Sequence, residues 1–373
     1  MRPLPYLLLA ILAFSLECGW CQLNNRVFED RQILEPADSG KLFAGANALG
    51  FLKNNEYKQT IINGYTLFGF QFQPYLSYQI SKSVRIDAGA YFQKDFGNEK
   101  ISTSSPVFSI KWRNRDYSVI VGNIEGSLNH RLIEPLYDFE RVLYNRLESG
   151  IQFQLNREDF FVDAWLDWQY MQYLKDPRQE QFVAGLSLQK QIFKVGSGAL
   201  YLPLQVVSRH QGGQLDVAGL PVQTLVNSAV GLNWIQPLDG WLSQVSLNGF
   251  YVYDKDITKT RQAYLDGDAF YFNGSVSTKF GLEVMASYWQ AREFMSFQGG
   301  RIYPAVSPLD PAVVQPAPQL LIIRFLYNYQ VADDLSLSLR YEPYMDLTAQ
   351  TFQFSYGIYV NYRARYFLAN PRK

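Results

Sequence analysis

The stretch VRIDAGAYFQK, residues 84–94, decides the fold. Val84, Ile86, Ala88, Ala90 and Phe92 fall on one face of an extended chain, and Arg85, Asp87, Gly89, Tyr91 and Gln93 on the other. Successive side chains of a strand point to opposite faces, so this is a strand with one apolar and one polar surface. A tight turn at Ser81, Lys82 and Ser83 precedes it. Before the turn, within 57–79, Phe68, Phe70, Phe72, Leu76 and Tyr78 oppose Gly69, Gln71, Gln73 and Ser77 in the same way.

Outward from this hairpin the alternation continues along the chain. Strands are predicted at 42–52, 57–79, 84–94, 106–113, 117–124, 147–156, 160–171, 181–190, 199–210, 222–234, 243–253, 264–276, 281–291, 320–330, 335–346 and 351–365, sixteen in all. The first, rich in Gly and Ala, alternates least clearly, and Asn54, Asn55 and Glu56 read as a short loop after it. Taken alternately, one set of connections is short (81–83, 114–116, 157–159, 277–280, 331–334), while the other holds every long one (125–146, 211–221, 292–319).

Composition narrows the class. Residues 1–21 have the form of a secretory signal, with Arg2, an apolar run from Leu7 to Leu16 and small residues before Gln22. Cys18 and Cys21 leave with it, so the mature chain has no disulfide, Cys-ligated zinc or Cys nucleophile. Residues 22–41 carry charges without periodicity and read as a periplasmic lead-in to a barrel over 42–373. Aromatics are 16% of the chain, charged residues only 18%, and the net charge is zero. No basic face is available for nucleic acid.

A soluble sandwich or propeller would also give alternating strands. These strands, however, approach the ~9–11 residues that cross a bilayer at a tilt, longer than the usual ~5–6 of soluble sheets. Their polar face is rich in Gly, Ser, Gln, Asn and Tyr, as a narrow wet lumen requires. The reading is therefore all-β: a transmembrane antiparallel up-and-down barrel in the outer membrane, with short periplasmic turns and longer extracellular loops.

In strand number, loop asymmetry and a closing strand with outward Phe352, Phe354, Tyr356, Ile358, Val360 and Tyr362, the chain resembles the sixteen-stranded diffusion porins of Gram-negative outer membranes. Its Tyr, Asn and Gln usage also looks like that of Bacteroidota-type barrels. It departs from such porins in ending not on an aromatic but on Leu368 to Lys373. The resemblance implies that 125–146, between the fifth and sixth strands, folds into the channel. Its Glu134, Asp138 and Glu140, with Asp163 and Asp167 of the wall, would then form the acidic side of a constriction. Arg85, Arg324, Arg340 and Arg363 would form the basic side. Opposed fixed charges across a wet pore filter solutes by size and charge. Tyr75, Tyr91, Trp165 and Trp289 face inward and offer stacking surfaces for sugars or simply fill space.

The resulting expectation is a porin for passive diffusion of small hydrophilic solutes, without cofactor or metal and not an enzyme. Its partners would be outer-membrane lipid and lipopolysaccharide, with a homotrimer or surface lipoprotein as further possibilities. A plugged, partner-binding barrel is the alternative. Phospholipase activity is a weaker one: Ser208 and His210 share a lipid-facing parity, but no lipid-facing Asn on the adjacent strands orients the imidazole. His130 reads as an ordinary loop residue.

Overall fold

The structure, a computed structural model, describes residues 23–58, 61–213, 219–258 and 262–372. The predicted signal at 1–21 lies outside the described residues. Sixteen strands follow in order: β1 (Leu42–Lys58), β2 (Asn63–Gln79), β3 (Val84–Asp95), β4 (Thr103–Asn114), β5 (Tyr117–Asn123), β6 (Ser149–Asn156), β7 (Phe160–Tyr170), β8 (Gln181–Val195), β9 (Gly198–Gln211), β10 (Gln223–Pro237), β11 (Leu242–Asp256), β12 (Asp266–Thr278), β13 (Leu282–Arg292), β14 (Gln319–Ala332), β15 (Leu335–Asp346) and β16 (Thr351–Ala369). Each pairs antiparallel with its chain neighbours, and β1 also pairs with β16, Leu49 opposite Asn361, which closes the barrel.

The burial pattern is that of a soluble protein turned inside out. Phe270 and Phe272 of β12 are exposed on the outer wall, whereas Tyr271 between them is buried in the lumen. The apolar set meets lipid and the polar set lines the interior, as in an outer-membrane barrel. Every connection on the inner rim is short, and all the long connections lie on the outer rim.

Two expectations change. Asn54, Asn55 and Glu56 are not a loop: β1 runs on through them to Lys58, which pairs with Asn63. Two of their side chains take partners outside β1, Thr66 Oγ1 donating to Asn54 (2.7 Å) and Asn55 Nδ2 donating to Glu140 (2.8 Å). No local pattern announces such partners. The residues read as a lead-in, from Leu23 on, do not stay outside the barrel but run up into the lumen. There Phe28 sits edge-on against Phe139 and Tyr359, with ring centroids 5.1 Å apart in each pair.

Strand length explains how the lumen fills. β5 and β6 have 7 and 8 residues, against 12 and 11 for β4 and β7. The connection between them therefore leaves the wall part-way up and turns inward. Its neck is closed by the Ile124 amide donating to the Glu148 carbonyl (3.1 Å).

Candidate functional site

Inside the barrel, the segment 124–148 crosses to the far wall. Ile133 and Leu136 are completely buried in a cluster with Trp289, Phe294, Tyr303, Leu320 and Ile322. The connection between β13 and β14 also folds in and interlocks with it. The Asp138 amide donates to the Gln298 carbonyl (2.8 Å), the Gly300 amide to the Glu134 carbonyl (2.9 Å) and the Ser296 hydroxyl to the Pro135 carbonyl (2.8 Å). An inner vestibule of about 560 Å³ and an outer cavity of about 370 Å³ lie on the two sides. The gap beside Glu134, Asp138 and Glu140 holds only about 40 Å³.

The acids and bases read from sequence fall into separate groups. Glu134 meets Arg324 directly and accepts from the Tyr303 hydroxyl (2.9 Å). Arg324 also reaches Glu342 (3.2 Å), which binds Arg340 (2.8 Å). Lys53, not singled out from sequence, joins this knot through Glu342 (2.6 Å) and Glu140 (3.7 Å). Glu140 additionally accepts from the Tyr65 hydroxyl. Burial and the neighbouring Glu140 push the Asp138 carboxyl up to about 7. Arg85 and Arg363 lie away from this knot, in the inner vestibule beside Tyr75. Asp167 accepts from the Ser149 amide (2.8 Å) near the loop's neck. Tyr91 donates to Gln93 (2.9 Å), and Trp289 belongs to the apolar cluster that anchors the loops.

Asp163 and Trp165 belong to a third group, centred on a residue the sequence reading passed over. His130 is fully buried, with Nδ1 2.8 Å from Asp163 and Nε2 2.9 Å from Glu148. Burial alone would lower its basicity, but the Glu148 and Asp163 carboxylates outweigh it and raise the imidazole to about 9. It is a charged clasp between the infolded segment and the wall, not an ordinary loop residue. The apolar anchors around it, Leu128, Leu132 and Ile133, are the sequence signal that the segment was buried.

The other histidine faces outward. On β9, His210 shares its face with the exposed Leu202 and Leu204, at the outer rim. Trp168 of β7, Phe182 of β8 and His210 form a stacked row, with centroid separations of 5.3 and 5.0 Å. The His210 Nε2 lies 2.9 Å from the Gly212 carbonyl, and its Nδ1 lies 2.9 Å from Thr224 Oγ1 on β10. A carbonyl only accepts, so in the neutral ring Nε2 carries the hydrogen and Nδ1 is left to accept from the Thr224 hydroxyl. Sequence reasoning paired His210 with Ser208 and found no orienting group. The cross-strand register supplies a hydroxyl, Thr224 opposite His210, and the Gly212 carbonyl two residues on orients the ring.

A closed sixteen-stranded antiparallel barrel with lipid-facing aromatics and a polar, loop-filled lumen defines an outer-membrane β-barrel of porin-like architecture. Solved structures agree on the fold. OprD from Pseudomonas aeruginosa matches with TM-score 0.52 and 10% identity over 87% of this chain and 94% of its own. The loop L8 deletion mutant of OmpT from Vibrio cholerae matches with TM-score 0.53 and 12% identity over 87% and 99%. A BenF-like porin from Pseudomonas fluorescens matches with TM-score 0.51 and 10% identity over 88% and 99%. No curated protein matches the sequence. The chain belongs to the lipid A 3'-O-deacylase-type family, whose sequence profile matches residues 34–371. That is an enzyme family, and its match overturns the expectation that the barrel is not an enzyme.

Proposed function

We propose that the protein removes an ester-linked acyl chain from lipid A in the outer leaflet, at a site on the outer rim built from His210 and Thr224. The observation that carries this reading is the contact of Thr224 Oγ1 with His210 Nδ1 at 2.9 Å, on the lipid side of the wall. A hydroxyl is a weak nucleophile until an adjacent base takes its proton, and the base needs a third group to hold its tautomer. Here Gly212 supplies that group.

In the proposed reaction Thr224 Oγ attacks the acyl carbonyl while its proton passes to His210 Nδ1. The sugar oxygen leaves with that proton, and water releases the fatty acid from the threonine ester. The Trp168–Phe182–His210 row provides a flat apolar shelf at the level where acyl chains meet headgroups. His130 is unsuited to the role, being enclosed in the lumen with both ring nitrogens held by carboxylates.

The experiment is incubation of the folded, detergent-solubilised barrel with lipid A, read by mass spectrometry for loss of one ester-linked acyl group. Loss of that activity in both His210→Gln and Thr224→Ala is expected. Unaltered lipid A after exposure to the native barrel would sink the reading.

A second reading, passage of small hydrophilic solutes, is favoured by two cavities on either side of the Glu134–Arg324 contact, each with charged side chains in its lining. Stepwise conductance in a planar bilayer supports it, and a silent folded barrel rejects it.

A further inference from the structure

We propose that the inner vestibule binds a small, multiply charged oxyanion, of which inorganic phosphate is the simplest, between Arg146 and Arg363. Neither proposed function requires such a site.

The vestibule, about 560 Å³, is lined by six arginines and only four acids. Most of that charge cancels locally. Arg31 binds Glu29 (2.7 Å), Arg85 binds Asp87 (2.8 Å), and Arg365 binds Asp38 just outside the lining. Asp30 accepts from Asn47 Nδ2 (3.0 Å). Arg146 and Arg363 are different: among the described residues neither has a carboxylate within ion-pair distance. Arg146 donates to the Phe28 carbonyl (3.2 Å) and to Gln71 Oε1 (3.3 Å), and Arg363 donates to the Val27 carbonyl (3.0 Å).

Each guanidinium has five N–H donors in a planar fork, so both keep donors beyond these neutral contacts. Two half-buried guanidiniums with no carboxylate in direct contact, on the wall of one cavity, make a site for a doubly charged oxyanion held by charge-assisted, bidentate bonds. The partners they now hold are successive carbonyls of the N-terminal segment. An anion that takes over those donors therefore also loosens the segment whose Phe28 packs under the infolded loop.

The test is calorimetric titration of the folded barrel in detergent with phosphate and, separately, with succinate. Native protein is expected to bind phosphate saturably and more weakly as sodium chloride is raised. Arg146→Gln and Arg363→Gln should each weaken binding at least ten-fold, and Arg363→Lys less. Preferential binding of succinate, lost in the same variants, would support the same site with a carboxylate ligand. Arg146 lies off the wall, so Arg146→Gln leaves every strand pairing intact and remains informative if Arg363→Gln fails to fold. Absence of binding to either anion, or binding indifferent to both glutamine variants, would overturn the proposal.

Discussion

The imidazole of His130 lies face to face with the indole of Trp165, with ring centres 3.6 Å apart and planes within 12°. The same imidazole bridges Asp163 on β7 and Glu148 at the end of the infolded segment, so one side chain ties that segment both to the wall and to its own neck. Replacing His130 by Gln strands two buried carboxylates. Losing one partner of a buried charge cluster costs about 3–5 kcal/mol. Urea unfolding of the detergent-solubilised barrel should show this loss, and an unmoved midpoint would contradict it.

The pH dependence follows from the same group. An imidazole whose basicity is raised on folding, here to about 9, contributes stability that is complete below its ordinary value of roughly 6.5. That contribution fades as pH rises through about 9. Limited proteolysis between residues 124 and 148 should therefore accelerate above that pH in the native protein and change little in His130→Gln.

Trp165 has its own support. The indole lies across Gly185 on β8, where an added Cβ would come within 2.1 Å of Trp165 Cζ2. Gly185→Leu must displace the indole and with it the surface under His130. A cost of about 1–3 kcal/mol, typical of overpacking, is expected in the same unfolding assay.

For the outer rim, His210→Gln should lower lipid A deacylation by about 10²–10⁴-fold, the usual scale for a lost general base. Ser208→Ala should leave the rate near native, because the imidazole faces Thr224 instead. A Ser208→Ala variant as inactive as His210→Gln would reassign the nucleophile.

At the constriction, Glu134→Ala removes the acid that links the infolded loop to Arg324. Larger or more frequent conductance steps than in the native barrel are expected in planar bilayers. Identical traces would mean that this contact does not set the opening.

The wall was legible because each strand is two-faced. Val84 to Asp95 announces its own orientation by alternation, and the same signal placed all sixteen strands. The lumen was less so. Lys53 and Glu140 meet only because a chain segment 87 positions away folds back across the barrel, and alternation carries no trace of that. His130 sits in a stretch without periodicity: the apolar Leu128, Leu132 and Ile133 around it signal a buried segment, but nothing local marks its bond to Asp163. Thr224 was missed for another reason. Its pairing with His210 depends on register across an outer loop, and one residue of slip would have put Thr224 on the lumen side.

The N-terminal segment also bears on how the molecule is assembled. The Asn24 amide donates to Glu283 on β13 (2.8 Å), and Arg340 on β15 donates to Asn25 (3.0 Å). Residues made among the earliest thus find their partners on strands made among the latest. The N-terminal segment can therefore take its final place only once β13 and β15 stand in the wall, so this part of the lumen fills late in folding.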